Sequence, residues 1–214
     1  MNNGLRRTID LAAAVFAAVA VICTAVTLTV LFRPLYYWDI EQLDIERQAG
    51  LSAAQIRENY DALIDYNLLG GSEELVFPDL PMSEQGRIHF AEVKEIFIAM
   101  QVIALAAVFL LALWLYLRLR GRRPPCGWMR MSGFVAAAVA LVTGAAVLID
   151  WDFAFTTMHR IFFRNNYWIF DAETDPVIRM LPEEFFLHCG LLIILLVLLQ
   201  IAALQIAYRR LKHE

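Results

Sequence analysis

Residues 185–208 read FFLHCGLLIILLVLLQIAALQIAY, a run without a charged side chain. A helix needs about 20 predominantly apolar residues to cross the roughly 30 Å hydrocarbon core of a bilayer. Three further runs have a similar length and character, at residues 9–32, 95–119 and 132–149. The sequence therefore predicts an all-α integral membrane protein, with four transmembrane helices in a single membrane domain that spans residues 1–214.

The composition argues against a soluble protein and against a nucleic-acid partner. Hydrophobic residues make up 60% of the chain, above the share of about one half that is usual for soluble domains. The third run is rich in Ala and Gly, which lets neighbouring membrane helices approach closely. No basic stretch interleaved with aromatic residues is present. The three cysteines are too scattered over the predicted topology to form a disulfide.

Basic residues near the helix ends predict the orientation. They form three groups, before the first run, between the second and third, and after the fourth: Arg6, Arg7, Arg118, Arg120, Arg122, Arg123, Arg130, Arg209, Arg210 and Lys212. With four spans the three groups share one side, which the positive-inside rule makes cytoplasmic. Both termini are then cytoplasmic, and the first run is an anchor helix rather than a removed signal peptide. The long loops, residues 33–94 and 150–184, form an extracytoplasmic cap.

Within the first loop, Ser52 and Gln55 have the spacing of a capping box. Apolar residues follow at helical spacing until Gly70 and Gly71 end the run. This pattern predicts an amphipathic helix that packs on the bundle or lies in the membrane interface.

His89 precedes the second span, close to the predicted start of its helix. In the first turn of that helix, the positive end of the helix dipole would favour the neutral imidazole that a general base needs. Glu92 lies three residues later, on about the same face, and is a candidate to orient the ring or set its tautomer. Lys94 points elsewhere and is a candidate to hold an oxyanion, a lipid phosphate or a carboxylate.

The second loop carries another histidine, in the stretch WDFAFTTMHRIFFRNNYWIFD at residues 151–171. Continued helical winding from the third span would place Asp152, Thr156 and His159 on one stripe, where a contact from Asp152 would raise the basicity of His159. The density of aromatic residues is typical of a membrane interface. Of the remaining histidines, His188 is predicted to support or pack near the same surface, and His213 to lie in the cytoplasmic tail without a role.

Two separated blocks carry a family resemblance. They are Ser83-x-x-Gly86-x-x-His89-Phe-x-Glu92-Val-Lys94 and, in the second loop, Trp151-Asp152, His159-x-x-Phe162-Phe163-x-Asn165-x-x-Trp168-x-Phe170-Asp171, Asp175-Pro176-x-Ile178 and Leu181-Pro182-Glu183-x-Phe185-Phe186. With the helix count and loop lengths, these blocks resemble the lipoprotein intramolecular transacylase family of Gram-positive bacteria. Asn166 departs from the pattern, which has an acidic residue there in many relatives.

The resemblance implies an acyltransferase of the cell membrane, acting at its extracytoplasmic face. Its substrate would be a diacylated lipoprotein, whose sn-2 acyl chain moves from the glyceryl ester to the α-amino group of the N-terminal cysteine. The product would be an N-acyl lyso-lipoprotein. The resemblance implies no cofactor and no metal. Membrane lipid is the expected surrounding partner, and a monomer is the default oligomeric state.

His89 and His159 match the two essential histidines of the family, one as general base and the other as general acid. We assign His89 as base and His159 as acid, with the reverse assignment left open. The supporting or oxyanion-stabilising candidates are Glu92, Lys94, Arg87, Asp152, Asn165 and Asp171.

Three other functions are compatible with the same residues. A membrane esterase or phospholipase would use water as acceptor at the same histidine pair. A metal-dependent hydrolase would use histidines and nearby acids as zinc ligands, although the chain has no HExxH motif or comparable spacing. A noncatalytic lipid-binding protein would need neither histidine.

Overall fold

A computed structural model describes residues 3–122 and 126–212. Over these residues the chain is helical and contains no strand. The elements are α1 (Asn3–Leu31), α2 (Pro34–Gln42), α3 (Ile45–Ala49), α4 (Ala53–Tyr66), α5 (Glu84–Leu119), α6 (Gly127–Ile149), α7 (Trp151–Phe162), a 3-10 helix (Pro176–Met180) and α8 (Glu183–Lys212). Arg123 and His213, which entered the predictions of orientation and function, lie outside the described residues, as do the side chains of Arg6 and Arg7.

Four of the helices are long and apolar enough to cross a membrane, which confirms the predicted number of spans. The spanning segments are Asp10–Leu31, Glu84–Leu119, Gly127–Ile149 and Glu183–Lys212. The second helix begins well before residue 95, where its predicted span starts. Ser83 explains the early start, because its Oγ accepts a hydrogen bond from the Gly86 amide at 3.0 Å and so caps the helix. His89 is therefore the sixth residue of α5, beyond the first turn in which the dipole effect is concentrated.

The third span does not continue into the second loop as one helix, contrary to the prediction. Asp150 adopts an extended backbone conformation, with φ −156° and ψ 102°, between α6 and α7. Its side chain accepts a hydrogen bond from the Phe153 amide at 2.9 Å and caps a new helix. The residues around His159 are thus helical as expected, but they belong to a separate helix with its own start.

The helices pack into two compact units. The first unit comprises the described residues within Met1–Thr27, Met100–Ala145 and Ile193–Glu214, and its core contains Ala18, Val21, Ala25, Ala136 and Val197. Small residues allow close helix packing here, as the Ala and Gly content of the third run predicted. A Cβ on Gly133 would overlap Gln205 Nε2, which donates to the Met129 carbonyl at 3.2 Å.

The second unit comprises Leu28–Ala99 and Ala146–Leu192, and it holds both predicted catalytic histidines. Its core is built around the stacked rings of Tyr36 and Tyr60, with centroids 3.8 Å apart, and the edge of Phe185. The hydroxyl of Tyr36 donates to the Met180 carbonyl at 2.6 Å, which gives this buried polar atom a partner. Aromatic packing and this hydrogen bond join the first loop to the second.

The structure confirms the amphipathic helix of the first loop. Helix α4 begins with the predicted capping box: Ser52 Oγ accepts from the Gln55 amide and Gln55 Oε1 from the Ser52 amide. Its apolar face is buried in the core of the second unit. The two short helices α2 and α3, which precede it, were not predicted from the sequence.

Candidate active site

His159 lies on α7 with its side chain buried, at 8% exposure. Its Nδ1 is 2.9 Å from the carbonyl oxygen of Phe155, one helical turn earlier. A carbonyl oxygen only accepts hydrogen bonds, so Nδ1 carries the proton and donates. In the neutral ring, Nε2 then has a free lone pair and is the nitrogen that can accept a proton from a substrate.

The environment of His159 favours this neutral form. Burial lowers the pKa of His159 below its ordinary value of 6.5, and the hydrogen bond to the Phe155 carbonyl offsets part of that effect. At neutral pH the ring is uncharged and able to act as a base.

His89 faces His159 from α5, with 6.1 Å between the two ring centroids. It is 5% exposed and lies between aromatic rings, 4.7 Å from Phe163 and 5.5 Å from Phe170 by centroid distance. Its Nδ1 is buried and has no hydrogen-bond partner among the described residues. A buried polar atom without a partner is costly, so this nitrogen is available to a hydrogen-bonding group that enters the site.

A hydrogen-bonded bridge joins the two histidine-bearing segments. Asn165 Nδ2 donates to both oxygens of Glu92, at 2.9 and 3.1 Å, and Asn165 Oδ1 accepts from the Tyr167 amide at 3.0 Å. Glu92 lies less than one turn after His89, and Asn165 follows His159 in the second loop. The bridge therefore fixes the loop after α7 against the helix that carries His89.

The predicted contact between Asp152 and His159 does not form. Asp152 is exposed, and the hydrogen bond of His159 goes to Phe155 instead. The physical reason is the helix rise of 1.5 Å per residue, which separates positions 152 and 159 by about 10 Å along the axis. Glu92 likewise accepts hydrogen bonds from Asn165 rather than contacting the His89 ring.

Three other predicted site residues have partners of their own. Arg87 forms an ion pair with Glu84 and has a side chain 55% exposed. Lys94 donates to the Ser72 carbonyl and lies over the ring of Tyr66. The carboxylate of Asp171 accepts from the Glu173 amide at 2.9 Å and shapes the turn before the 3-10 helix. These contacts do not bring the three side chains to the histidine pair.

Trp168 forms one wall of the site. Its ring stacks on His159 with a centroid distance of 4.7 Å and an angle of 30° between the planes. The indole Nε1 is buried and has no hydrogen-bond partner within the described part of the chain. Phe155 also packs against the imidazole, with its ring centroid 4.1 Å from that of His159 and 6.4 Å from that of Trp168. The histidine pair is thus enclosed by aromatic side chains that keep water away.

A comparison with known protein families identifies the family of this chain. The family model described as "Lipoprotein intramolecular transacylase Lit" matches residues 11–186. The chain belongs to the lipoprotein intramolecular transacylase family. It is therefore an acyltransferase, and its four apolar helices make it a multi-pass membrane protein.

Solved structures of this transacylase family share the fold. The membrane-integral lipoprotein intramolecular transacylase Lit from Bacillus cereus is 30% identical, with a TM-score of 0.89 over 99% of this chain and 98% of that chain. A histidine-to-alanine variant of the Bacillus cereus protein matches at 30% identity and a TM-score of 0.82, over 98% of this chain and 94% of that chain. A search of curated proteins gives no match.

Two polar contacts of the transacylase chain were missed by the sequence analysis. Asp39, fully buried on α2, accepts a hydrogen bond from His188 Nδ1 at 2.8 Å. Burial raises the pKa of the Asp39 carboxyl, and the hydrogen bond from His188 offsets part of the rise. His188 thus packs against α2, and its support role stays a prediction.

The second missed contact involves Asp175, which is 3% exposed. Its Oδ1 accepts from the Ser83 amide at 2.8 Å, at the start of α5, and Thr174 Oγ1 donates to its Oδ2 at 2.8 Å. A Cβ on Gly86 would overlap this carboxylate. The Asp-Pro sequence at 175–176 signals a turn, but nothing in it identifies the first turn of α5 as the partner.

Proposed function

We propose that the chain transfers the sn-2 acyl group of an S-diacylglyceryl lipoprotein to the α-amino group of the same N-terminal cysteine. The nitrogen attacks the ester carbonyl, an N–C bond forms and the bond to the glyceryl oxygen breaks. One proton moves from nitrogen to oxygen, and the product is an N-acyl lyso-lipoprotein. Membership of the transacylase family and the name of the Bacillus cereus relative support a lipoprotein substrate.

The single observation that carries this proposal is the buried pair of imidazoles, 6.1 Å apart between centroids. Transfer from an ester to an amine needs a proton acceptor at the nitrogen and a proton donor at the departing oxygen. Two histidines on facing segments can exchange protons with both of these atoms, the amine nitrogen and the glyceryl oxygen, in one substrate molecule. Because nucleophile and carbonyl belong to one molecule, alignment alone supplies a large effective concentration.

His159 is the better candidate for the base, which reverses our first assignment. Its Nδ1 proton is engaged by the Phe155 carbonyl, so Nε2 is left to take the proton that the amine loses. The proton that His159 has taken then passes to the glyceryl oxygen through His89, which accepts a proton on one ring nitrogen as it releases one from the other. The pair ends the cycle with the same number of protons that it started with.

The surrounding residues support this chemistry by position. Glu92 and Asn165 hold the loop after α7 against α5, and so maintain the spacing of the two rings. The aromatic walls exclude water, which would otherwise compete with the amine for the ester carbonyl. Arg87, Lys94, Asp152 and Asp171 belong to the proposal only as residues that support the fold around the site, since Arg87 pairs with Glu84 and Lys94 donates to the Ser72 carbonyl.

We place the site on the extracytoplasmic side of a bacterial cell membrane. This placement rests on the grouped arginines and lysines, which put both termini in the cytoplasm. Acyl chains would enter laterally from the membrane lipid between the apolar helices. A monomer contains both histidines and is the oligomeric state that we propose.

The test of this function is mass spectrometry of a synthetic diacylglyceryl lipopeptide incubated with the purified protein in lipid bicelles. Transfer leaves the total mass unchanged and moves one acyl group from the glyceryl fragment to the N-terminal fragment. A lipid esterase would instead lower the lipopeptide mass and release free fatty acid, which would contradict the proposal. Unchanged lipopeptide would contradict it as well.

The pKa of His159 predicts a pH dependence of stability. In the unfolded chain the histidine pKa is about 6.5, and in the fold it is lower. As pH falls below 6.5, the unfolded state takes up the proton first. The contribution of the neutral ring to the free energy of unfolding is therefore present above pH 6.5 and is lost on acidification.

We therefore expect the ¹³C NMR signal of labelled His159 to titrate below pH 6.5. The melting temperature in bicelles should fall between pH 7 and pH 5, and fall less in His159→Gln. An equal fall of the melting temperature in both proteins, or a titration of His159 above pH 6.5, would show that burial does not lower the pKa of His159.

A further inference from the structure

The indole of Trp168 presents a buried hydrogen-bond donor that no part of the described chain uses. Indole N–H is a donor only, and buried tryptophans normally find an acceptor for it. Here Nε1 is inaccessible to solvent and has no partner among residues 3–122 and 126–212. An unsatisfied donor of this kind calls for an explanation.

The position of the Trp168 ring makes its unpaired N–H relevant to catalysis. The centroid of the indole lies 4.7 Å from that of the His159 ring, with an angle of 30° between the two planes. In such a stack the N–H bond lies in the indole plane and runs alongside the imidazole rather than into it. An acceptor for Nε1 would therefore lie close to His159, the base in the proposed function.

The segment that carries Trp168 is held in place. Asn165 is fixed to Glu92 on α5, and its Oδ1 accepts from the Tyr167 amide, the residue before Trp168. The Ile169 amide donates to the Asn166 carbonyl at 3.1 Å and closes the same turn. A donor held in this way before the reaction needs no rearrangement when charge develops.

The charged donors suggested by the sequence are engaged elsewhere. Arg87 pairs with Glu84 and Lys94 donates to the Ser72 carbonyl, so neither competes for this position. A neutral donor also suits an apolar, water-excluded site better than a buried cation, because it carries a smaller desolvation cost.

We propose that Trp168 Nε1–H is an oxyanion donor of the acyl transfer and that Trp168 is a catalytic residue. The proposal rests on the proposed function. When the amine adds to the sn-2 ester carbonyl, the carbonyl oxygen becomes negatively charged and accepts the indole hydrogen bond. When the tetrahedral intermediate collapses, the electron pair on this oxygen re-forms the C=O bond of the new amide, the glyceryl oxygen leaves with the C–O bonding pair and takes up the proton, and the hydrogen bond to the indole weakens.

The test compares Trp168→Phe with the wild-type protein, because phenylalanine keeps an aromatic ring against His159 and lacks the donor. The rate of ester cleavage in the lipopeptide should fall by about 10²-fold or more, as is typical for a single oxyanion donor. The fall should be in kcat, with KM changed by less than about threefold, since the bond forms mainly in the transition state. Replacement by 3-benzothienylalanine, which has sulfur in place of the N–H, should reproduce the loss.

Trp151→Phe is the matched control. Trp151 also packs near Phe155, but its indole N–H is not one of the buried polar groups that lack a hydrogen-bond partner. Its kcat should stay within about twofold of wild type. Unchanged kcat in Trp168→Phe or in the benzothienyl protein would overturn the proposal, as would an equal loss in Trp151→Phe. Ester cleavage is measured separately from the fate of the acyl group. Release of free fatty acid by the wild-type protein would overturn the proposed function, whereas the cleavage rates of the variants would still test the oxyanion donor.

Discussion

Replacing His159 with alanine is expected to lower the rate of acyl transfer by about 10²–10⁴-fold, the usual contribution of a positioned acid or base. The loss should appear in kcat, because the lone pair of Nε2 acts only when the amine attacks. His89→Ala should have a loss of similar size, and the double variant should lose little more than either single one, since the two rings share one proton transfer. The measurement is the initial rate of conversion of the diacylglyceryl lipopeptide, followed by mass spectrometry.

His213→Ala is the matched control, because it removes a histidine at the second-last position of the sequence, far along the chain from both His89 and His159. This variant should keep the wild-type rate. Losses that add fully in the double variant would mean that the two histidines act independently. Full activity of His159→Ala would remove the basis of the proposed mechanism.

The second large effect is expected at Gly86, where alanine should destabilise the second unit and reduce the rate of transfer together. A Cβ there would overlap the Asp175 carboxylate and lie 3.2 Å from Met82 Cγ. Asp175 cannot move away cheaply, because it is buried and already bonds the Ser83 amide and the Thr174 hydroxyl. Overpacking of this kind costs about 1–3 kcal/mol, and it displaces the start of the helix that carries His89.

Gly190→Ala provides the control for Gly86→Ala. Gly190 is also helical, but a Cβ added to it meets no atom within 4 Å. Alanine has a higher helix propensity than glycine, so this variant should melt at or slightly above the wild-type temperature. The two variants are compared by melting temperature in bicelles and by transfer rate. Equal behaviour of both would contradict the role of the contact between Gly86 and Asp175.

The four spans were predictable because each apolar run is long enough to dominate a hydropathy window. The start of α5 was not, since its first turns are polar and its beginning depends on the Ser83 cap. Likewise α2 and α3 are short and carry no strong periodicity. Their burial in the second unit comes from contacts with distant segments, which no local pattern displays.

The candidate site was predictable in its residues more than in its contacts. His89, His159, Glu92 and Asn165 follow from motif blocks, and the structure brings them together. The partner of His159 did not follow from the sequence, because a backbone carbonyl one turn away competes successfully with any carboxylate two turns away. The contact between Asp39 and His188 joins positions 149 residues apart, and local spacing gives no indication of it.

The hydrogen bond from Tyr36 to the Met180 carbonyl has a consequence for biosynthesis. Its two ends are 144 residues apart, so most of the chain is translated between them. At about 5–20 residues per second this interval lasts roughly 7–30 s. During that time the rings of Tyr36 and Tyr60 lack the edge contact of Phe185. The core of the second unit can therefore close only after residue 180 has been translated, and until then the segment that carries His89 lacks this support.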